Sequence, residues 1–315
     1  MIRSLLILAA AAATLGCSPE GTTPSATADP QKPANKIVGA SLLTQSHQFY
    51  RDLVGAMEET AAEKGITLRI QYAEFNGPKQ VNQLETFVQQ GVDAVIVAPK
   101  DSAGIAPAIQ DVQAAGVPVF TVDIAAHGVD VVSHIASDNV QGGRLIGEYL
   151  AKLLNGKGKV AIIDQPETAS VQERVAGFDE ALAKYPEIEI VQRAPGGGVR
   201  DKAMRAAMDV IQANPDLDAI FGINDDSALG ALAALESAGL QDKVVIVGYD
   251  GTPEARETIL AGKALKADTV QHPVEIGKTT IETIAAHFAG EEVPKVIPVQ
   301  VNVIDRESLL AEQNG

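Results

Sequence analysis

The residues of this chain best equipped for chemistry are two aspartates (Asp123 and Asp250), one arginine (Arg174), two amides (Asn224 and Gln271) and an adjacent ring pair (Phe49 and Tyr50). Each lies in a segment that follows a short, β-branched run. Carboxylates accept from paired hydroxyls, a guanidinium and amides donate to ring and hydroxyl oxygens, and an aromatic face covers C–H groups. Together the set suits a small neutral polyol. Singly, each residue also has a structural reading. An Asp after a strand often caps the next helix, and Asn224-Asp225-Asp226-Ser227 ahead of a helical stretch over 228–236 is a capping segment. The two aspartates could also form a glycosidase pair, but a binding cleft needs the same carboxylates without a raised acid pKa.

Other catalytic patterns are missing from the sequence. It holds no G-x-S-x-G elbow, no G-x-x-x-x-G-K-[ST] loop, no H-E-x-x-H and no G-x-G-x-x-G after a strand. Gly196-Gly197-Gly198 lacks the Lys-Ser/Thr that follows a phosphate loop, so it reads as a turn before a helix over 200–213. His47, His127, His134, His272 and His287 show no paired metal spacing. No metal or cofactor is expected, and no enzyme.

The elements that must position these groups alternate. Strands are expected over 37–42, 67–72, 94–98, 117–122, 131–135, 159–163, 187–192, 219–223, 244–249 and 264–269, separated by Ala-rich helical stretches such as 50–64 and 171–185. Strands too apolar to have a wet face, alternating with helices, indicate doubly wound parallel sheets. Ligands of such sheets sit beyond the carboxyl ends of the strands. The pattern also repeats: Lys36, Asp93 and Asp123 recur as Lys159, Asp218 and Asp250 in matching contexts, at offsets of 123, 125 and 127 residues. Two similar α/β lobes follow. A last helix over 274–289 and a strand over 295–303 come after the second repeat; if they return to the two lobes in turn, three segments cross between lobes and make a hinge.

Composition narrows the partners. The 315 residues carry 25 Lys and Arg against 41 Asp and Glu, a formal charge of −16. No basic stripe is present, which speaks against nucleic acid and anionic lipid surfaces. One cysteine, Cys17, excludes an internal disulfide and a thiolate zinc site. Residues 1–16 read as a charged start, a short apolar run and a small-residue cleavage site, too short to span a ~30 Å hydrocarbon core. Residues 18–35 are rich in Pro, Ser and Thr and read as a solvated linker. Leu15-Gly16-Cys17 resembles the lipobox of bacterial lipoproteins, which implies acylation of Cys17 and a tether at the periplasmic side of the cell envelope.

Three further stretches carry a second resemblance: Val132 to Asn139 (Val-Ser-His-Ile-Ala-Ser-Asp-Asn) with Gly142-Gly143, Asn224-Asp225 with Ala228-Leu-Gly-Ala231, and Val247-Gly-Tyr-Asp-Gly-Thr-Pro253. Over nearly all of 37–303 the chain resembles the type I periplasmic sugar-binding proteins of ABC importers, the ribose-binding branch most. The resemblance implies two lobes, over 36–136 plus 272–297 and over 137–271 plus 298–315, that close on a monosaccharide and present the closed form to permease subunits. It implies a monomer with no nucleic-acid partner. It maps ligand contacts onto His47, Phe49, Tyr50, Asp123, Arg174, Asn224, Asp250 and Gln271. His47 stands where Asn is common, Ile124 where ribose binders tend to have Arg, and Gly198 near an aromatic position, so a sugar or polyol other than ribose is at least as well accommodated. A sensor handing its closed form to a chemoreceptor or sensor kinase is the alternative. Repressors with this two-lobed core carry a DNA-reading module where this chain has its leader.

Overall fold

The computed structural model describes residues 35–314; the expected leader, Cys17 and nearly all of the expected linker lie outside the described residues. The first sheet is built from β1 (Lys36–Leu42), β2 (Ile66–Tyr72), β3 (Ala94–Val97), β4 (Val119–Val122) and β5 (His134–Ser137), connected by α1 (Gln48–Lys64), α2 (Gly77–Gln89) and α3 (Ala106–Ala114). The second repeats the scheme. After α4 (Asn139–Leu153) come β6 (Lys157–Asp164), α5 (Ala169–Leu182), β7 (Glu187–Pro195), α6 (Arg200–Ala213), β8 (Ala219–Gly222), α7 (Asp225–Ala238), β9 (Val245–Asp250), α8 (Pro253–Leu260) and β10 (Leu265–Val270). The chain ends with α9 (Pro273–Phe288), β11 (Val296–Val299), β12 (Asn302–Asp305) and α10 (Arg306–Asn314).

Both sheets have six strands, in the orders β11-β5-β4-β3-β1-β2 and β12-β10-β9-β8-β6-β7. Apart from the direction of the edge strands β11 and β12, these are one winding used twice, as the repeat predicts. All pairings are parallel except β10 with β12. Alternate side chains of each strand feed opposite layers: Ala94 and Ile96 pack with α1 and α9, while Val95 and Val97 pack with α2 and α3. In the second lobe Val160 and Ile162 pack with α4 and α5, and Ala161 and Ile163 with α6 and α7. Burial on both faces is why these strands read as unbroken apolar runs.

Several expected boundaries move by a few residues, and two of the changes bear on the topology. The strand predicted over 131–135 is observed as β5, starting three residues and ending two residues later, because its last residues, Ala136 and Ser137, pair with Pro298 and Val299 despite poor strand propensity. The strand predicted over 295–303 is two strands: β11 closes the first sheet parallel to β5, and β12 closes the second antiparallel to β10. The crossing therefore falls after Val299, within Gln300-Val301, rather than at the expected 297/298. The other two crossings follow Ser137 and Val270. Among the described residues, no helix is long and apolar enough to cross a membrane.

Several strands run straight into a capped helix. Asp138, Asn224 and Thr252 accept from the backbone N–H groups of Gln141, Ser227 and Ala255, starting α4, α7 and α8. The caps fix where the helix begins and so hold the strand-end side chains at one edge of each sheet.

Candidate functional site

The carboxyl edges of the two sheets meet around a cavity of about 40 Å³, lined by all eight expected residues: His47, Phe49, Tyr50 and Asp123 from one lobe, Arg174, Asn224 and Asp250 from the other, and Gln271 at the hinge. Larger cavities of about 560 and 280 Å³ adjoin it, and Phe49 and Asp250 line all three. The lobes touch across this space. His47 Nε2 is 3.1 Å from Asp226 Oδ2, Lys100 Nζ is 2.9 Å from Glu167 Oε1, and the Ala169 N–H donates to Ser102 Oγ at 2.8 Å. The described state is closed.

Asp123 and Asp250 terminate equivalent strands, and both have positive φ, 64° and 132°. Such backbone costs about 1–3 kcal/mol at a non-glycine residue and persists where the surroundings impose it. Both residues line the cavity. Tyr50 Oη donates to Asp123 Oδ2 at 2.6 Å. Burial holds the Asp123 carboxyl above the usual range, with the Arg174 charge and the Tyr50 hydroxyl pulling it back. Tyr50 thus bonds as well as covers, its ring edge-on to Phe49 with centroids 5.3 Å apart.

Arg174, on the first turns of α5, is 4% exposed. Its Nε donates to Asn139 Oδ1 and its Nη1 to the Ile223 carbonyl, each at 2.9 Å. The guanidinium carbon lies 3.9 Å from the centroid of the Tyr249 ring, and Nη1 is 3.9 Å from Asp250 Oδ1. Three fixed directions aim the fork. Asp250 also accepts from Gln271 Nε2 at 2.7 Å, and Gln271 Oε1 accepts from Ser137 Oγ at 2.8 Å. One hydrogen-bonded chain therefore joins the cavity to two hinge segments.

Asn224 fills both of the roles left open by its sequence. Its Oδ1 caps α7 while its Nδ2 donates to the Gly198 carbonyl at 3.1 Å, at the cavity wall. Burial lowers the pKa of His47, against the pull of Asp226. Ile124 lines the cavity as an apolar wall, with Leu43, Val171 and Ile223, which the sequence analysis did not single out. These are ordinary core residues by type, and only their place at a strand end could have marked them.

Behind Asp250 lies a feature that sequence missed altogether. Asp268, in the middle of β10 and 0% exposed, faces Asp225, and neither of its oxygens has a hydrogen-bond partner in the described structure. Burial first, then the Asp225 charge, pushes Asp268 well above the usual carboxylate range; Asp225 is pushed up by burial too. Both shifts favour a proton residing on the pair. A carboxyl raised in the folded state contributes its stability below its unfolded pKa of about 4, and loses it as pH rises through the folded value. Asp268→Asn, which keeps a donor toward Asp225 at every pH, is therefore expected to raise the melting temperature at pH 8 by about 2–4 °C, equivalent to ~1 kcal/mol. The gain should vanish near pH 4. Parallel melting curves across that range would show that the pair holds no such proton.

Comparison with known proteins adds the family. The model described as "Periplasmic binding protein domain" matches residues 38–292. This chain belongs to that family. It is a solute-binding protein and not an enzyme. It is 32% identical over 284 residues to the ribose import binding protein of Escherichia coli strain K12, covering 90% of this chain and 95% of that one. The ribose import binding protein of Bacillus subtilis strain 168 is 33% identical over 274 residues, with 86% and 88% covered. An ABC transporter periplasmic solute binding protein from Actinobacillus succinogenes 130z, solved with bound D-allose, superposes with a TM-score of 0.80 at 31% identity, covering 88% of this chain and 99% of that one. The doubly wound, two-lobed architecture is that of the family.

Proposed function

We propose that this chain is the substrate-binding lipoprotein of an ABC importer, acylated at Cys17, held at the periplasmic side of the cell envelope, and closing its lobes on a monosaccharide or related polyol. The observation that carries the reading is the single cavity flanked by one buried and one largely buried carboxyl, one aimed guanidinium, two amides and two rings, drawn from both lobes and the hinge. Asp123 and Asp250 accept hydroxyl protons, Arg174, Asn224 and Gln271 donate, and Phe49 with Tyr50 covers the apolar face. Contacts from both lobes exist together only in the closed form, so the ligand selects it by differential affinity. Relatives whose names specify ribose and D-allose support the ligand class. Ile124 and Gly198 favour a member of that class other than ribose.

The test is a thermal-shift screen of the purified chain against pentoses, hexoses, deoxysugars and polyols. A ligand at a hundredfold its Kd stabilises by about 2.7 kcal/mol, or roughly 5–10 °C for a protein of this size. A shift confined to a few stereochemically related sugars is expected. Absence of a shift with every carbohydrate would overturn the reading.

A further inference from the structure

Gln165 leaves β6 into the turn before α5, lines the cavity and is 4% exposed. Its amide nitrogen, Nε2, is fully buried and has no hydrogen-bond partner in the described structure. The two other amides of the cavity are used: Asn224 donates to Gly198 and Gln271 to Asp250. A buried donor without a partner is a costly exception in a native fold. Leu43, Ile124, Val171 and Ile223 on the cavity wall have no side-chain acceptor, and the hydroxyls of Thr168 and Ser170 make no bond to Nε2.

The backbone of the turn that carries it is held in place. Thr168 Oγ1 donates to the Gln165 carbonyl at 3.1 Å, and the Gln165 N–H donates to Asp164 Oδ1 at 2.7 Å. A Cβ at position 198 would come within 2.4 Å of Gln165 Oε1. Gly198, at φ 67°, thus makes the room that Gln165 fills. The amide is preorganised, buried and unpaired on the wall of a cavity that has acceptors and donors elsewhere.

We infer that Gln165 is a specificity-determining residue, donating from Nε2 to an oxygen of the bound ligand, and that the ligand is a polyhydroxylated ring or chain with a hydroxyl or ring oxygen facing the β6–α5 turn. This rests on the sugar-binding reading above. An analogue lacking that oxygen leaves the amide unpaired in the closed cleft, and discrimination follows.

The experiment is calorimetry on the purified full chain with D-ribose, D-allose, D-xylose, L-arabinose, xylitol and myo-inositol, followed by the monodeoxy analogues of the best binder. Wild type is expected to lose about tenfold or more in affinity, the cost of one unpaired buried donor, on removal of the oxygen that faces Gln165. Gln165→Leu should lose a similar factor on the parent sugar and nothing further on that analogue. Gln165→Met, of nearly the same length and without a donor, carries the same test should the leucine variant fail to fold. If wild type binds a sugar and both variants bind it and every deoxy analogue as wild type does, Gln165 is satisfied by water and the inference falls. If wild type binds no member of the panel, the failure lies in the sugar-binding reading instead.

Discussion

Arg174→Ala is expected to abolish measurable sugar binding and to lower the melting temperature by roughly 6–20 °C. The reasoning starts from what the guanidinium holds. It supplies the hydrogen bonds to Asn139 Oδ1 and the Ile223 carbonyl, lies against the Tyr249 ring, and is the cation facing the buried carboxyls of Asp123 and Asp250. Asp250 already sits well above the usual carboxylate range, because of burial first and the neighbouring Asp225 charge second, with Arg174 and the Gln271 amide opposing both. Without Arg174 the carboxyl loses its nearby positive charge, which raises its pKa further, and the ligand loses the aimed guanidinium donor. Removing one partner of a buried charged pair costs about 3–5 kcal/mol, which is a factor of 10² or more in an equilibrium constant, and about 2–4 °C per kcal/mol in melting temperature. Arg174→Lys should rescue neither property, since an ammonium cannot reach Asn139, Ile223 and the cavity in three fixed directions. Calorimetry with the best sugar of the panel and a melting curve decide it. Affinity within threefold of wild type would remove Arg174 from the site.

The second large effect lies one layer behind the cavity. Helices α4 and α5 approach so closely that a Cβ on Gly143 would fall 1.9 Å from the Arg174 carbonyl oxygen, and one on Gly177 would fall 2.0 Å from that of Val140. Both obstacles are backbone, which cannot swing aside as a side chain can. Gly143→Ala must separate the helices by on the order of 1 Å, and overpacking of this kind costs about 1–3 kcal/mol, occasionally more. The contact is to Arg174 itself, so the same shift displaces the guanidinium, and affinity should fall together with a melting temperature lowered by roughly 2–12 °C. Gly55→Ala is the control. Gly55 is exposed on α1 with nothing within 4 Å of its missing Cβ, so the change should raise stability by about 0.5–1 kcal/mol. Equal behaviour of the two variants would show that the helix contact is looser than described.

Both expectations concern the same lever. The cavity is assembled by groups that are each fixed by a second residue: Asp123 by Tyr50, Arg174 by Asn139 and Ile223, and Asp250 by Gln271, which itself reaches Ser137. The last of these chains runs through two of the three crossings between lobes. A ligand that engages Asp250 therefore acts on groups tied directly to the hinge.

The sequence by itself determined the winding of both sheets, the repeat and the set of polar groups at the strand ends. Local physics suffices for these: strands buried on both faces must be apolar throughout, helices between them must be amphipathic, and polar residues are tolerated only where strands stop. It was enough to name seven of the eight expected residues that line one cavity, and the family resemblance added His47. Tertiary structure alone decided three other matters. The last apolar stretch is shared between two sheets, because pairing partners far away in the chain, Ser137 and Val270, compete for it. Asp268 sits inside an apolar strand, and a one-dimensional pattern cannot tell a charge that faces water from one that faces another buried carboxyl. The unpaired nitrogen of Gln165 is likewise a statement about which atoms are absent around it, and absence is set by packing from both lobes at once rather than by any neighbour in sequence.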